Sequence, residues 1–414
     1  MVMAADRRAT APTPPDDAVA RRVSRSVAVL FVLNGAAFAT FAARLPDVKN
    51  MLHLSAAGLG LFLLAGSIGS VSGLPLAGWV ISRIGTRATV RVAATAAVCG
   101  YAVAGFAITA HLLWLAVIGL LVAGMGIGPW DVTMNLEGTV VERHEGRSIM
   151  PRYHAMFSGG TVLAALIGVA ATGLHVPLWA HLTAAMAIIG TLALTYSRNF
   201  ELLSDTPEMP EATPVPDTPR APSHRSAWTD PRVLLIGVVT LVAGFTEGSA
   251  NDWLSLGFVE GHGVPKWAGV LAFATFLTCM TGGRLLGTGL LDRYGRVPTL
   301  RVCFALAVLG CLMVVFGTTP LAYAGVVVWG VGVSLGFPVG MSAAADDPAR
   351  AHARISVIST IAYTAFLAGP PLLGLLGEHV GVLHALLAVG AAATLALFLV
   401  PAVREPAATD VTAQ

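Results

Sequence analysis

Charge is what this sequence has least of. Asp, Glu, Lys and Arg make up 12% of its 414 residues, about half of the roughly 25% usual in soluble proteins, while 55% are hydrophobic. A chain of this length could hold two or three soluble domains, but it lacks the material for their water-facing surface. A net charge of +2, with no basic stripe interleaved with aromatics, excludes a nucleic-acid partner. The four cysteines, Cys99, Cys279, Cys303 and Cys311, all fall inside apolar runs without zinc-type or redox spacing. They read as small packing residues, and neither a disulfide nor a metal is called for. His144-Glu145 has no second histidine to complete a zinc-protease motif, no glycine loop cradles phosphate, and no serine elbow is present, so an enzyme is disfavoured and no cofactor is expected.

What the chain has instead is apolar runs of about 20 residues separated by short polar breaks, the length at which a helix crosses about 30 Å of hydrocarbon. The runs fall near 26–48, 57–81, 90–109, 113–137, 152–173 and 178–197, then 232–257, 268–290, 299–317, 321–342, 355–376 and 383–401. The first follows Arg21, Arg22 and Arg25 in the manner of a signal peptide, but it is too long and too many others follow, so it is read as a retained span. Between the two sets of six, six prolines among acidic and small residues mark an extended linker. The expectation is an all-α membrane protein of twelve transmembrane helices in two pseudo-symmetric six-helix bundles, 26–197 and 232–401. An N-terminal tail (1–25), a linker (198–231) and a C-terminal tail (402–414) complete it.

Of the 25 lysines and arginines, only Arg44, Lys49, Lys266 and Arg284 fall outside the segments that an inside N-terminus would make cytoplasmic. The positive-inside rule then places both termini in the cytoplasm. Small residues four apart recur in corresponding spans of the two halves: Gly69 with Gly73, Gly124 with Gly128, Gly283 with Gly287 and Gly332 with Gly336. Such pairs let helix backbones approach closely, and their matched placement points to an internal repeat.

After spans two and eight come two basic turns with identical spacing up to the second glycine. The first holds Gly78, Ser82, Arg83, Gly85 and Arg87; the second holds Thr288, Asp292, Arg293, Gly295 and Arg296. Together with the six-plus-six arrangement they resemble the Gly-x-x-x-Asp-Arg-x-Gly-Arg signature of the major facilitator superfamily. That resemblance implies two six-helix bundles around a central cavity. Ser82 replaces the signature aspartate, Arg87 comes one place late and Thr288 replaces a glycine, which implies a weaker conformational latch in the first half. Ala43-Arg44-Leu45-Pro46, the Asp131 to Glu137 stretch, Met150 to His154 and Gly369-Pro370-Pro371 resemble the rhizopine-transporter (MosC-like) branch.

Because a charge at a helix centre costs roughly 2.5–3.5 kcal/mol on insertion scales, each one should face a cavity or a partner. In span seven, Glu247 and Asn251 share a face one turn apart, followed by Asp252 and Trp253; span one offers Asn34 and Arg44. Arg44 paired with Asp252 or Glu247 would form an outer gate, against the alternative of interfacial residues reaching for water. In the superfamily's arrangement spans five and eight meet, so Arg284 paired with Asp131 or Glu137, with His154 nearby, would form an inner gate; the plainer reading is a static ion pair within one bundle. Glu142 with Arg143, and Asp346 with Asp347, sit where Arg83 and Arg293 could reach them, or are solvated loop charges.

Carboxylates in a poorly solvated cavity titrate nearer working pH, making Glu247 the first candidate for a coupling proton and Asp131 the second. Asn34, Asn135 and Asn251 supply donors and acceptors while Trp130, Trp253 and Tyr363 supply flat faces, a set suited to a polyol or sugar-like solute. The expected function is alternating-access, proton-coupled transport of a small polar solute by a monomer in the bilayer of the cytoplasmic (inner) membrane. The rivals are an exporter of drug-like or biosynthetic compounds and a non-transporting sensor on the same shell.

Overall fold

A computed structural model describes residues 17–146, 149–203, 227–347 and 350–405. Among them every regular element is helical, and eleven helices are long and apolar enough to cross a membrane. One of these, Ala56–Thr109, has 54 residues. At 1.5 Å per residue that is roughly 80 Å, far beyond one bilayer, and it is in fact two helices meeting at Gly85, whose φ of 78° and ψ of 172° break the ladder. The crossings therefore number twelve, with spans two and three at 56–84 and 86–109. The others are span one (Ala18–Ala42), four (Leu113–Glu145), five (Met150–Gly173), six (Leu178–Asn199), seven (Pro231–Gly261), eight (Lys266–Tyr294), nine (Arg296–Phe316), ten (Thr319–Ala344), eleven (Ala353–Val380) and twelve (Val382–Val403).

An even number of antiparallel crossings puts both described ends of the chain at one end of the bundle, here called the termini end; the other is the far end. The helix of span one starts at Asp17, inside the segment expected to be a tail. Most of the expected linker, 204–226, and residues 1–16 and 406–414 of the tails lie outside the described residues. At the far end a short helix, Leu45–Met51, is inserted between spans one and two. No apolar run of spanning length announces it.

The glycine pairs of the first half interlock spans two and four. A side chain at Gly69 or Gly73 would collide with residues 121–129, and one at Gly124 or Gly128 with the backbone of Gly66 and Ser70. In the second half only Gly283 and Gly287 repeat this, against Ser334 and Leu335 of span ten; Gly332 packs on span nine and Gly336 on Ala243 of span seven. Span ten breaks at Ser334 and Leu335, which frees carbonyls that an unbroken helix would use.

The two basic turns share one backbone geometry: Gly295 (φ 77°, ψ 173°) repeats Gly85, a region essentially confined to glycine. Each turn is held by a glutamate that follows the last span of its own half. Glu201 accepts from the Arg87 backbone N–H at 2.8 Å, and Glu405 from that of Arg296 at 3.1 Å. Arg296 also reaches Asp346 (2.7 Å), and Arg87 donates to the Phe200 carbonyl (2.6 Å). Arg83 and Arg293 do not reach the carboxylates expected for them; they lie over Trp79 and Tyr294 at 5.1 and 5.2 Å. Ser82 turns back to its own helix, donating to the Trp79 carbonyl. The pseudo-repeat is thus closed by Glu201 and Glu405, neither of which belongs to the signature.

Candidate functional site

Between the two sets of six lies a cavity of about 280 Å³, near the lower end of the roughly 300–1,000 Å³ typical of small-molecule pockets. Spans one to four contribute Phe38, Phe41, Ser67, Ser70 and Tyr101 among aliphatic side chains, and the second half contributes Asp252, Tyr363 and Phe366. The walls are thus mostly aromatic and aliphatic, with one carboxylate set into them. Asp252 has neither a hydrogen bond nor an ion pair to any of the described residues. Asp131 of span four lies near Tyr363, close enough to act on it electrostatically, and its own partner is Asn135, whose Nδ2 donates to the Asp131 carbonyl (2.8 Å) and to Oδ1 (3.3 Å).

Helix phase explains which of the expected residues reach the cavity. Neighbours on a helix point about 100° apart, so with Asp252 on the cavity face, Asn251 and Trp253 turn away; both are buried, with Asn251 Oδ1 and Trp253 Nε1 unpartnered. Asn34 and Trp130 are likewise buried with an unpartnered nitrogen and are not part of the cavity wall. Of the residues expected to hold a polyol, only Tyr363 lines it.

The charge pairs also differ from expectation. Arg44 pairs with neither Asp252 nor Glu247: it is 4% exposed and its Nε donates to Asp47, three residues on, at 2.6 Å. Its other nitrogens reach the Val176 carbonyl (2.9 Å) and Nδ1 of His181 (3.4 Å). A partner one turn away satisfies the guanidinium without crossing the cavity. Arg284 pairs with neither Asp131 nor Glu137 but with Glu247 of the same half, at 2.6 Å, while its Nε donates to the Ser334 carbonyl freed by the break in span ten (3.2 Å). His154, edge-on to Phe31, feels the Arg284 charge from the opposite half. Glu137 is fully buried and accepts from Thr86 (2.9 Å) and the Glu201 N–H (2.8 Å), a tie within the first half and the geometry of a structural residue.

Among the described residues, the bonds that do cross between halves cluster at the far end. Lys266 of span eight donates to Asp47 at 2.7 Å, so Asp47 bridges Lys266 and the buried Arg44. Lys49 on the short helix pairs with Glu260 at the end of span seven. Glu378 of span eleven accepts from the Ala57 N–H of span two at 3.2 Å, and beside this contact Gly60 packs on the backbone of Pro370. Asp47, Lys49, Glu260, Lys266 and Glu378 were given no role from the sequence. Their signal was present in the positive-inside count, where Lys49 and Lys266 stand among the four exceptions. Among the described residues, the ion pairs at the termini end, including Arg87–Glu201, Arg296–Asp346, Arg232–Asp346 and Arg354–Asp230, each stay within one half.

Known proteins of the same kind match this chain along most of its length. The family model described as Major Facilitator Superfamily matches residues 27–364 and 271–413. An uncharacterized transporter, y4wD, of Sinorhizobium fredii is 32% identical over 384 residues, 92% of this chain and 98% of that protein. The membrane protein MosC of Rhizobium meliloti is 26% identical over 369 residues, covering 87% and 85% of the two chains. Among solved structures, a point mutant of the nucleoside transporter NupG superposes with a TM-score of 0.73 at 14% identity, covering 93% of this chain and 99% of that one.

Proposed function

The chain belongs to the major facilitator superfamily, and from that premise we propose a proton-coupled secondary transporter that moves a small polar, ring-bearing solute across the cytoplasmic membrane by alternating access. Both termini are cytoplasmic in this reading, which makes the far end the outer one. The observation that carries it is the cavity between the halves: among the described residues, the bonds that join the halves lie at the far end, and the ion pairs at the termini end stay within one half. Lys266–Asp47, Lys49–Glu260 and Glu378 on Ala57 close the outer side; breaking them while re-forming contacts at the termini end exposes the same cavity to the other face.

A polyol or sugar-like ring fits the cavity through residues other than the asparagines. Its C–H faces lie against Phe38, Phe41, Tyr101 and Tyr363, and its hydroxyls donate to Asp252 and exchange hydrogen bonds with Ser67 and Ser70. With Glu247 held by Arg284, the coupling proton falls to the carboxylates that have no basic partner, Asp252 and Asp131. A second reading, export of an amphipathic compound, draws support from the same aromatic walls. Flux into proteoliposomes separates the two: with acid outside, inositol-type polyols are expected to accumulate above equilibrium and to leak out when a protonophore is added. Accumulation of hydrophobic cations driven by acid inside, with no polyol flux under either gradient, would replace the first reading by the second.

A further inference from the structure

The far-end turns of the first half are built around histidine. His53, His111 and His175 each occupy the left-handed position that ends a helix, at φ of 49°, 58° and 57°, where two turns of the second half have Gly263 and Gly381. In all three the next residue's N–H returns to the carbonyl five positions back: Leu54 to Lys49, Leu112 to Ala107 and Val176 to Ala171. Glycine fills such a position without strain and a larger residue does not, so what these side chains meet is worth following. Two of them meet each other. The exposed rings of His53 and His111 lie nearly parallel, 9° apart in plane, with centroids 6.1 Å apart.

The tautomer of one ring is fixed. His111 Nδ1 stands 2.6 Å from the Met51 carbonyl oxygen; a carbonyl only accepts, so Nδ1 carries the proton and Nε2 keeps its lone pair. A metal-bound imidazole is held in this way, its other N–H given to a backbone carbonyl or carboxylate. The ring of His53 has no hydrogen bond to any of the described residues. With Zn–N bonds of about 2.0–2.1 Å, two imidazoles on one ion have centroids roughly 5–6 Å apart, so side-chain rotation alone brings this pair to an ion. Among the described residues no group of three or more His, Cys, Asp or Glu side chains is placed to hold a metal. The pair is then the protein's whole contribution and water completes the shell, which makes the ion exchangeable rather than structural.

We propose that His53 and His111 together bind a divalent transition-metal ion of the Zn2+ or Ni2+ class, which imidazole suits and oxygen-seeking Mg2+ does not. The bound ion ties the end of the short helix Leu45–Met51 to the turn between spans three and four. That helix carries Asp47 and Lys49, which grip the second half, so the ion steadies the base of the grip. The transport reading makes this face the outer one; the binding itself is independent of that reading.

The test is calorimetric titration of the purified full chain, free of any histidine tag, with Zn2+, Ni2+ and Mg2+. One Zn2+ or Ni2+ per chain should bind saturably and Mg2+ should not. Asparagine tolerates the left-handed position, so His53→Asn and His111→Asn should fold, and each should weaken Zn2+ binding at least about tenfold, whereas His175→Asn should leave it unchanged. X-ray absorption at the zinc edge of the wild-type complex, which needs no variant, should show two imidazoles with oxygen completing the shell. Hydrogen exchange of residues 45–54 should slow several-fold with Zn2+ in the wild type and not in His53→Asn. No saturable binding, affinity unaltered in both His53→Asn and His111→Asn, or sulfur in the zinc shell overturns the site; binding with unchanged exchange at 45–54 overturns the tie. Polyol flux bears on neither outcome, so the site and the transport reading fail separately.

Discussion

The seal at the far end can be weakened without touching the cavity. In the double variant Lys49→Gln/Lys266→Gln, both ion pairs that cross between halves are lost, while Asp47 keeps Arg44 and the cavity walls are unchanged. Lys266 is 34% and Glu260 38% exposed, their partners 14% and 16%, so each pair sits at the upper part of the range for surface pairs, about 0.5–1 kcal/mol. Losing both moves the balance between the two cavity orientations by about 1–2 kcal/mol, a factor of roughly 5–30 in their ratio. Spin labels at Leu174→Cys in the first half and Val380→Cys in the second, on a background with the four native cysteines replaced, report the separation at this end by double electron–electron resonance. The variant is expected to enlarge a long-distance population several-fold, and high salt applied to the parent should produce a smaller shift in the same direction. If the distance distribution is the same in variant and parent, these pairs do not hold the outer side closed and the gate assignment is wrong.

Two further outcomes follow from the packing. Gly85→Ala and Gly295→Ala impose the same backbone strain, about 1–3 kcal/mol, but a Cβ at 85 also strikes the Glu201 carboxylate whereas at 295 its nearest neighbour is Glu405 at 3.6 Å; thermal unfolding in detergent should therefore rank Gly85→Ala as the more damaging, and the reverse order would contradict the geometry of the first turn. Glu247→Leu should leave the part-buried Arg284 without its carboxylate and lower the unfolding midpoint by more than the double variant Glu247→Leu/Arg284→Leu does, an ordering that disappears if the pair contributes nothing to the second half.

The span pattern was legible because lipid thickness sets a run length that can be counted along the chain, and the two basic turns were legible because each is a local motif. The partners of the buried charges were not. Arg44 was expected to reach across the cavity, yet an acid three residues away on a helix too short to show in the hydropathy takes it. Arg284 was assigned an acid from the opposite half and found one in its own. Asn251, Asp252 and Trp253 were weighed alike because consecutive residues give no hint of which one faces inward; that depends on the phase of span seven against spans one and eleven, a property of the assembled bundle. The Asp47–Lys266 bond joins positions 219 apart, and only their rarity as charges outside the expected cytoplasmic segments hinted at a role.

The matching glutamates at positions 201 and 405 have a consequence for how the protein moves and how it came to be built. Each half fastens its sixth helix to the bend after its second with its own acid, borrowing nothing from the other half. At that end a half can swing away from its neighbour without loosening internally, so the rocking unit and the duplicated unit are the same object. Damage to one fastening should soften one half alone.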